Sequence, residues 1–251
     1  MCRLLAYASR TPVTLTDLLG EEELGEFVGL SEVHCDGWGF AWAKEQGVGT
    51  IRVPDPAHSS PEFVRVSQEH RSDLAVAHVR WATDDLAITP ENTHPFSDGR
   101  LAFAHNGAVR PADALDALVP DDLKGERLGT TDSERYYLAV LDRVRRMAPA
   151  DALAEVVLAI TDGGYDYTCL NAMLLTDTEL VVVNRYRPEA EALEGPEYYR
   201  LRYRVMADAV VVSSSGWGTG WETLENGQML VVQRNTLETE IRRFAEVPAL
   251  A

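Results

Sequence analysis

The chain has 251 residues, 45% of them hydrophobic and 25% charged, enough apolar content to bury a full core and to exclude wholesale disorder. Lysine and arginine number 23 against 40 acidic side chains, leaving a net charge of −17 with neutral histidines. That balance disfavours nucleic acid or an anionic membrane surface as a partner, since both require a basic footprint.

The chain opens with Met1-Cys2-Arg3-Leu4-Leu5-Ala6-Tyr7, which has neither the basic flank nor the long apolar stretch of a signal peptide. Residues 3–7 read as a short strand. Glu21, Glu22, Glu23 and Glu26 then fit the solvated face of a helix. Strands are predicted at 39–43 and at 74–81; between them lies a loop at Val53-Pro54-Asp55-Pro56. Ser60-Pro61-Glu62 marks a helix start, with serine as cap and proline in the first turn. A strand at 101–104 is followed by a loop at Val119-Pro120-Asp121-Asp122, and residues 120–130, with Gly125 and Gly129, have the composition of a lid over a pocket.

Thr131-Asp132-Ser133-Glu134 fits a capping box, and Tyr137, Val140, Leu141 and Val144 recur at the three-and-four spacing of one helical face. Leu153, Val156, Val157 and Ile160 repeat that pattern after Pro149. Residues 170–175 and 180–184 form a predicted hairpin through Thr176-Asp177-Thr178-Glu179, and strands follow at 209–213 and 229–233. No internal repeat, flexible linker or membrane-length apolar run interrupts this order, so a single domain over residues 2–251 is expected. Clustered strands with two helices together mid-chain suggest antiparallel sheets covered by helices, an α+β arrangement more than a βαβ alternation. Three cysteines are too few and too odd in number for a disulfide framework, and the expected location is cytoplasmic.

Chemistry concentrates at five segments. Removal of Met1, usual before a small residue, leaves Cys2 with both a thiol, of ordinary pKa near 8.5, and a free α-amine of about 7.7–8.0. Such an amine is a built-in base for its own nucleophile. Taken alone, a cysteine at position 2 more often simply begins a strand. The other segments are Cys35-Asp36-Gly37-Trp38-Gly39-Phe40, Ala77-His78-Val79-Arg80-Trp81-Ala82-Thr83, Phe103-Ala104-His105-Asn106-Gly107 and Thr130-Thr131-Asp132-Ser133-Glu134. As an ordered set these five resemble the class II glutamine amidotransferases, whose glutaminase domain belongs to the N-terminal-nucleophile hydrolases. The nearest likeness is to small stand-alone members, one branch of which is the γ-glutamyl hydrolase of ergothioneine synthesis.

The resemblance implies a four-layer αββα sandwich, with two antiparallel sheets face to face and helices outside. It implies Cys2 as the nucleophile on the γ-amide carbon, with Asn106 and Gly107 as oxyanion donors. Arg80 would grip the substrate α-carboxylate with its planar fork, and Asp132 would take the α-ammonium. Trp81 and Thr83 would form a wall of the pocket. Competing readings stand beside these: Arg80 as a surface salt-bridge partner, Asp132 as a charge favouring a helix N-terminus, and Asn106-Gly107 as a type I′ hairpin turn. Asp36-Gly37 reads as a turn, with Asp36 supporting the site from behind. The histidines look scattered, and neither Cys-x-x-Cys nor His-Glu-x-x-His occurs, so no metal and no organic cofactor is expected.

Gly216-Trp217-Gly218-Thr219-Gly220 lacks the Gly-Lys-Ser/Thr ending of a phosphate loop. The chain departs from the family pattern in two places. Asp84 stands where many members have histidine, and Ser213-Ser214-Ser215-Gly216 replaces a Ser-Glu-Pro triplet, so the ergothioneine substrate is not carried over. The expected activity is release of glutamate from glutamine or a γ-glutamyl amide through a cysteinyl thioester. Alternatives are an ammonia-supplying subunit docked on a separate synthase, or a non-catalytic glutamine-binding protein. The expected partner is a small-molecule substrate, with a synthase protein as a further possibility.

Overall fold

A computed structural model describes residues 2–82, 86–190, 195 and 197–244. Seven strands form one sheet: β1 (Arg3–Val13), β2 (Trp38–Ala43), β3 (Val48–Val53), β4 (Ser72–Val79), β9 (Leu201–Val205), β10 (Ala209–Ser213) and β11 (Glu222–Leu224), in the order β11-β9-β10-β1-β4-β2-β3. Six form the other: β5 (Phe96–Ser97), β6 (Ala102–Arg110), β7 (Asp166–Leu175), β8 (Glu179–Asn184), β12 (Gln228–Gln233) and β13 (Thr239–Arg243), in the order β13-β12-β8-β7-β6-β5. Every pairing between these strands is antiparallel.

The period-two alternation of the strands builds the layers. On β1, Leu4, Ala6 and Ala8 face one buried cluster and Leu5 and Tyr7 face another. The first cluster also receives Ala102 and Ala104 of β6, Met173 of β7 and Val182 of β8, so it is the core between the two sheets. The second packs against α1 (Leu15–Gly29), kinked at Gly20, and α2 (Pro61–Glu69). The outer face of the six-stranded sheet buries α4 (Asp132–Val144) and α5 (Pro149–Asp162), which follow the single turn of helix α3 (Asp121–Lys124). The result is the expected αββα sandwich.

Both mid-chain helices form where the spacing places them. Leu153, Val156, Val157 and Ile160 of α5 are fully buried, each such side chain stabilising by about 1.5–3 kcal/mol. At α4 the Thr131 hydroxyl accepts from the Glu134 N–H, but Glu134 does not return the bond to Thr131. Its carboxylate instead accepts from the N–H groups of Leu128 (2.8 Å) and Gly129 (2.7 Å), holding the preceding loop against the helix. The capping box is therefore half made, and the other half is spent on tertiary structure.

Ser60 caps α2 by accepting from Phe63, and the 170–184 hairpin closes through Thr176 and Glu179. Glu21, Glu22 and Glu26 lie exposed on α1, while Glu23 is partly buried in an ion pair with Arg204. Gly216-Trp217-Gly218 leads into the short strand β11 and not into a helix.

Candidate active site

The register of β1 against β4 assembles the first part of the site. Arg3 pairs with Val79, so Cys2, one residue earlier, comes beside Arg80, one residue later. The Cys2 thiol donates to the Trp81 carbonyl at 3.7 Å. Arg80 leaves the strand into a frame made by the Asp36-Gly37 turn. Its N–H donates to the Gly37 carbonyl (2.7 Å), its carbonyl accepts from the Asp36 N–H (3.0 Å), and the Ala82 N–H donates to the Asp36 carboxylate (2.8 Å). The Asp36 side chain thus acts on the shape of the Arg80–Ala82 segment.

Arg80 is only 2% exposed, and its guanidinium donates to two main-chain carbonyls, of Asp36 and Ala87, both at 3.2 Å. Among the described residues no carboxylate pairs with it, which removes the surface salt-bridge reading. Burial pulls its pKa below the ordinary value, with Cys2 and Asp36 opposing. A buried cation without a counter-ion is costly unless an anion visits it.

The second part comes from β6. Asn106 and Gly107 lie inside this strand, opposite Asn171 and Leu170 of β7, and not at a hairpin turn. The turn reading of Asn-Gly is overturned because the strand continues to Arg110. Gly107 sits at φ +146°, and a Cβ there would lie 1.8 Å from the Cys169 carbonyl oxygen, so only glycine fits. The ladder shifts register immediately after it. The main-chain donors that follow find other acceptors: Ala108 donates to the Thr168 hydroxyl (3.1 Å) and Val109 to the Asp132 carboxylate (2.7 Å). Asp132, the first residue of α4, is thereby tied to β6.

Asn106 is fully buried, and among the described residues neither atom of its side-chain amide has a hydrogen-bond partner. By strand alternation it shares the inter-sheet face with Ala102 and Ala104, as Cys2 shares that of Leu4 and Ala6. A buried amide left wholly unpaired is rare in native proteins and points to a group that arrives from outside.

Apart from Asn106 and the Asp36-Gly37 turn, which do not line it, these pieces open onto one small cavity of about 30 Å3, room for roughly two water molecules. Cys2, Arg80, Trp81, Gly107 and Asp132 line it together with Asn92. Asn106 is held next to Gly107 in the same strand. Trp81 is 43% exposed at the rim and packs edge-on against His34, with ring centroids 5.3 Å apart. Thr83 lies outside the described residues, as does Asp84. Burial raises the Cys2 thiol above its ordinary pKa; Arg80 opposes this and Asp132 adds to it.

A profile of the class II glutamine amidotransferases matches residues 1–246. The chain belongs to this family. A similar relative is the γ-glutamyl-hercynylcysteine sulfoxide hydrolase of Mycolicibacterium smegmatis, 33% identical over 120 residues, which cover 43% of this chain and 52% of that protein. Among solved structures, a glutamine aminotransferase class II domain protein from Silicibacter pomeroyi superposes with a TM-score of 0.69 at 26% identity, over 97% of this chain and 99% of that one. The phosphoribosylpyrophosphate amidotransferase of B. subtilis shares the fold, with a TM-score of 0.65 at 18% identity, over 98% of this chain and 50% of that one.

For this amidotransferase chain, two features of the site differ from the sequence reading. The histidines are not scattered: His94 and His105 line the cavity and His78 lies next to His94, their rings 4.3 Å apart. Gly39 makes this possible, since a Cβ there would lie 2.0 Å from the His94 carbonyl oxygen. Burial drives His78 down to about pKa 3 and His94 well below the ordinary value, so both rings are neutral. His105 Nε2 donates to the Cys169 carbonyl (3.0 Å), which leaves Nδ1 to accept from the Ser133 hydroxyl (2.9 Å).

The segment 120–130 also behaves differently. Leu123, Glu126 and Leu128 line a separate cavity of about 430 Å3 and not the one at Cys2. Ser133 of the Cys2 cavity reads in the sequence only as part of a helix cap, and Asn92 not at all; the run Glu91-Asn92-Thr93-His94-Pro95 gives no local signal beyond a turn.

Proposed function

We propose that this protein hydrolyses the γ-amide of glutamine or of a γ-glutamyl amide through a thioester on Cys2. The reading rests above all on one observation: Cys2, Gly107, Asp132 and a buried Arg80 that has no carboxylate partner among the described residues share a single cavity.

With Met1 removed, the Cys2 α-amine takes the thiol proton, and the thiolate forms a bond to the γ-carbonyl carbon. The carbonyl oxygen becomes an oxyanion, which receives hydrogen bonds from the Asn106 side chain and the Gly107 N–H. Collapse breaks the C–N bond, and the ammonium returns its proton to the leaving amine. Water then attacks the thioester with the same amine as base, glutamate departs, and the thiol is restored. Arg80 pairs with the substrate α-carboxylate and Asp132 with its α-ammonium, so the amino-acid end is recognised at a distance from the reacting carbon.

The raised thiol pKa suits this order of events. The sulfur stays protonated in the empty site and is activated in place, where Arg80 lies close enough to favour the thiolate. The cavity is far smaller than the roughly 300–1,000 Å3 of ligand-filled pockets, so substrate entry widens it at the rim.

The test offers methionine-free protein glutamine and a panel of γ-glutamyl amides, and measures glutamate. Release without any added protein is the expected outcome. Calorimetric binding of glutamine with no glutamate formed would favour the non-catalytic alternative, and release only after adding a synthase would favour the subunit alternative.

A further inference from the structure

Resting on the glutamyl-binding reading above, we infer that Asn92 is a positioning residue that fixes the spacing between Arg80 and Asp132, and so sets affinity for the amino-acid end of the substrate. Asn92 is 3% exposed and lines the Cys2 cavity. Its amide spans two loops that have no covalent reason to stay in register. On one side Nδ2 donates to the Ala87 carbonyl at 3.1 Å, the same oxygen that accepts from Arg80 Nη2 at 3.2 Å. On the other side Oδ1 accepts from the Thr130 N–H at 2.9 Å, two residues before Asp132.

The Thr130 side is itself rigid. The Thr130 and Thr131 carbonyls both accept from Arg135 Nη1, at 2.7 and 3.0 Å, and the Thr131 hydroxyl caps the helix that Asp132 begins. The loop is pressed onto Asn92 at Gly129, where a Cβ would come within 2.3 Å of Asn92 Oδ1. One primary amide, donating with one end and accepting with the other, therefore measures the gap between the group that reads the carboxylate and the group that reads the ammonium. Both hydrogen bonds of the Asn92 amide go to these loops and neither to Cys2 or Asn106, so the reacting end is set independently.

Two variants test this, Asn92→Ala and Asn92→Asp, with kcat and KM for glutamine and with the rate of Cys2 alkylation by iodoacetamide, followed on the Cys2 peptide by mass spectrometry. Asn92→Ala is expected to raise KM by about tenfold or more while kcat changes by less than about threefold. Alkylation of Cys2 should stay within about threefold of the wild-type rate, because the thiol's hydrogen bond goes to the Trp81 carbonyl and not to Asn92. Asn92→Asp keeps the acceptor for Thr130 but replaces the donor with an anion close to Arg80, so its KM should rise at least as far. Should Asn92→Ala fail to fold, Asn92→Asp carries the same test. Unchanged KM in a wild-type-like melt, or a fall in kcat and in alkylation rate with KM unmoved, overturns the inference and leaves the hydrolase reading standing. A wild type that releases no glutamate removes that reading and this inference with it.

Discussion

Cys2 and Asn106 are both buried polar side chains, yet one donates weakly to a carbonyl and the other to nothing. An unpaired buried amide costs about 1–3 kcal/mol, which the fold sustains here beside the glycine of the same strand. In the proposed mechanism that cost is recovered only when an oxyanion forms, which is the condition for lowering a barrier and not merely binding substrate. Replacing Asn106 by alanine should therefore lower kcat by about a hundredfold or more with little change in KM, read from steady-state glutamate release. At this scale much of the cavity lining is legible through the family resemblance of its segments: Cys2, Arg80, Gly107 and Asp132 are each expected there on that ground and meet at one cavity. Asn92 is not, because its role lies in the two loops it joins, and those meet only in three dimensions. The three buried histidines were misread for the same reason, each being unremarkable in its own segment.

Strand register brings the chemistry together. The pairing of Arg3 with Val79 sets Cys2 beside Arg80, and the shift after Gly107 releases the Val109 N–H to hold Asp132. Gly107→Ala drives a methyl group into the Cys169 carbonyl at a backbone conformation that alanine rarely adopts. This variant is expected to lose well over 1 kcal/mol of stability in a denaturant melt, a loss that Asn106→Ala should not reproduce. The eight strands predicted from apolar runs all form. Those missed are β3, β5, β11 and β13, the four edges of the two sheets, and β9 beside an edge. Edge strands carry polar and charged residues that discourage further pairing, as in Thr239-Glu240-Ile241-Arg242-Arg243, and so lack an apolar signature. In β9 the buried Leu201 and Tyr203 alternate with Arg202 and Arg204, and the ion pair of Arg204 with the distant Glu23 is tertiary and unreadable from sequence.

The sandwich as a whole buries three apolar layers and, at one end of the middle one, the neutral rings of His78 and His94. In the unfolded chain these histidines take up protons below about pH 6.5, whereas His78 in the fold resists until about pH 3. The unfolded state then binds more protons, so stability falls as pH drops through that window, by about 1.4 kcal/mol per pH unit for each such ring at the steepest. His78→Gln should flatten the acid limb of a stability profile taken by denaturant melts between pH 7 and pH 4; an unaltered slope would count against the buried neutral pair. The layer order was legible only through the resemblance, since the periodicities alone fix helices and strands but not which faces meet.

The account turns on the free amine at Cys2. Glutamate release should be measured on two preparations of the same chain, one with Met1 removed and one retaining it, each verified by intact mass. The account predicts activity in proportion to the fraction of chains that begin at Cys2, and essentially none from the Met1-retaining form. Equal turnover from both would contradict it.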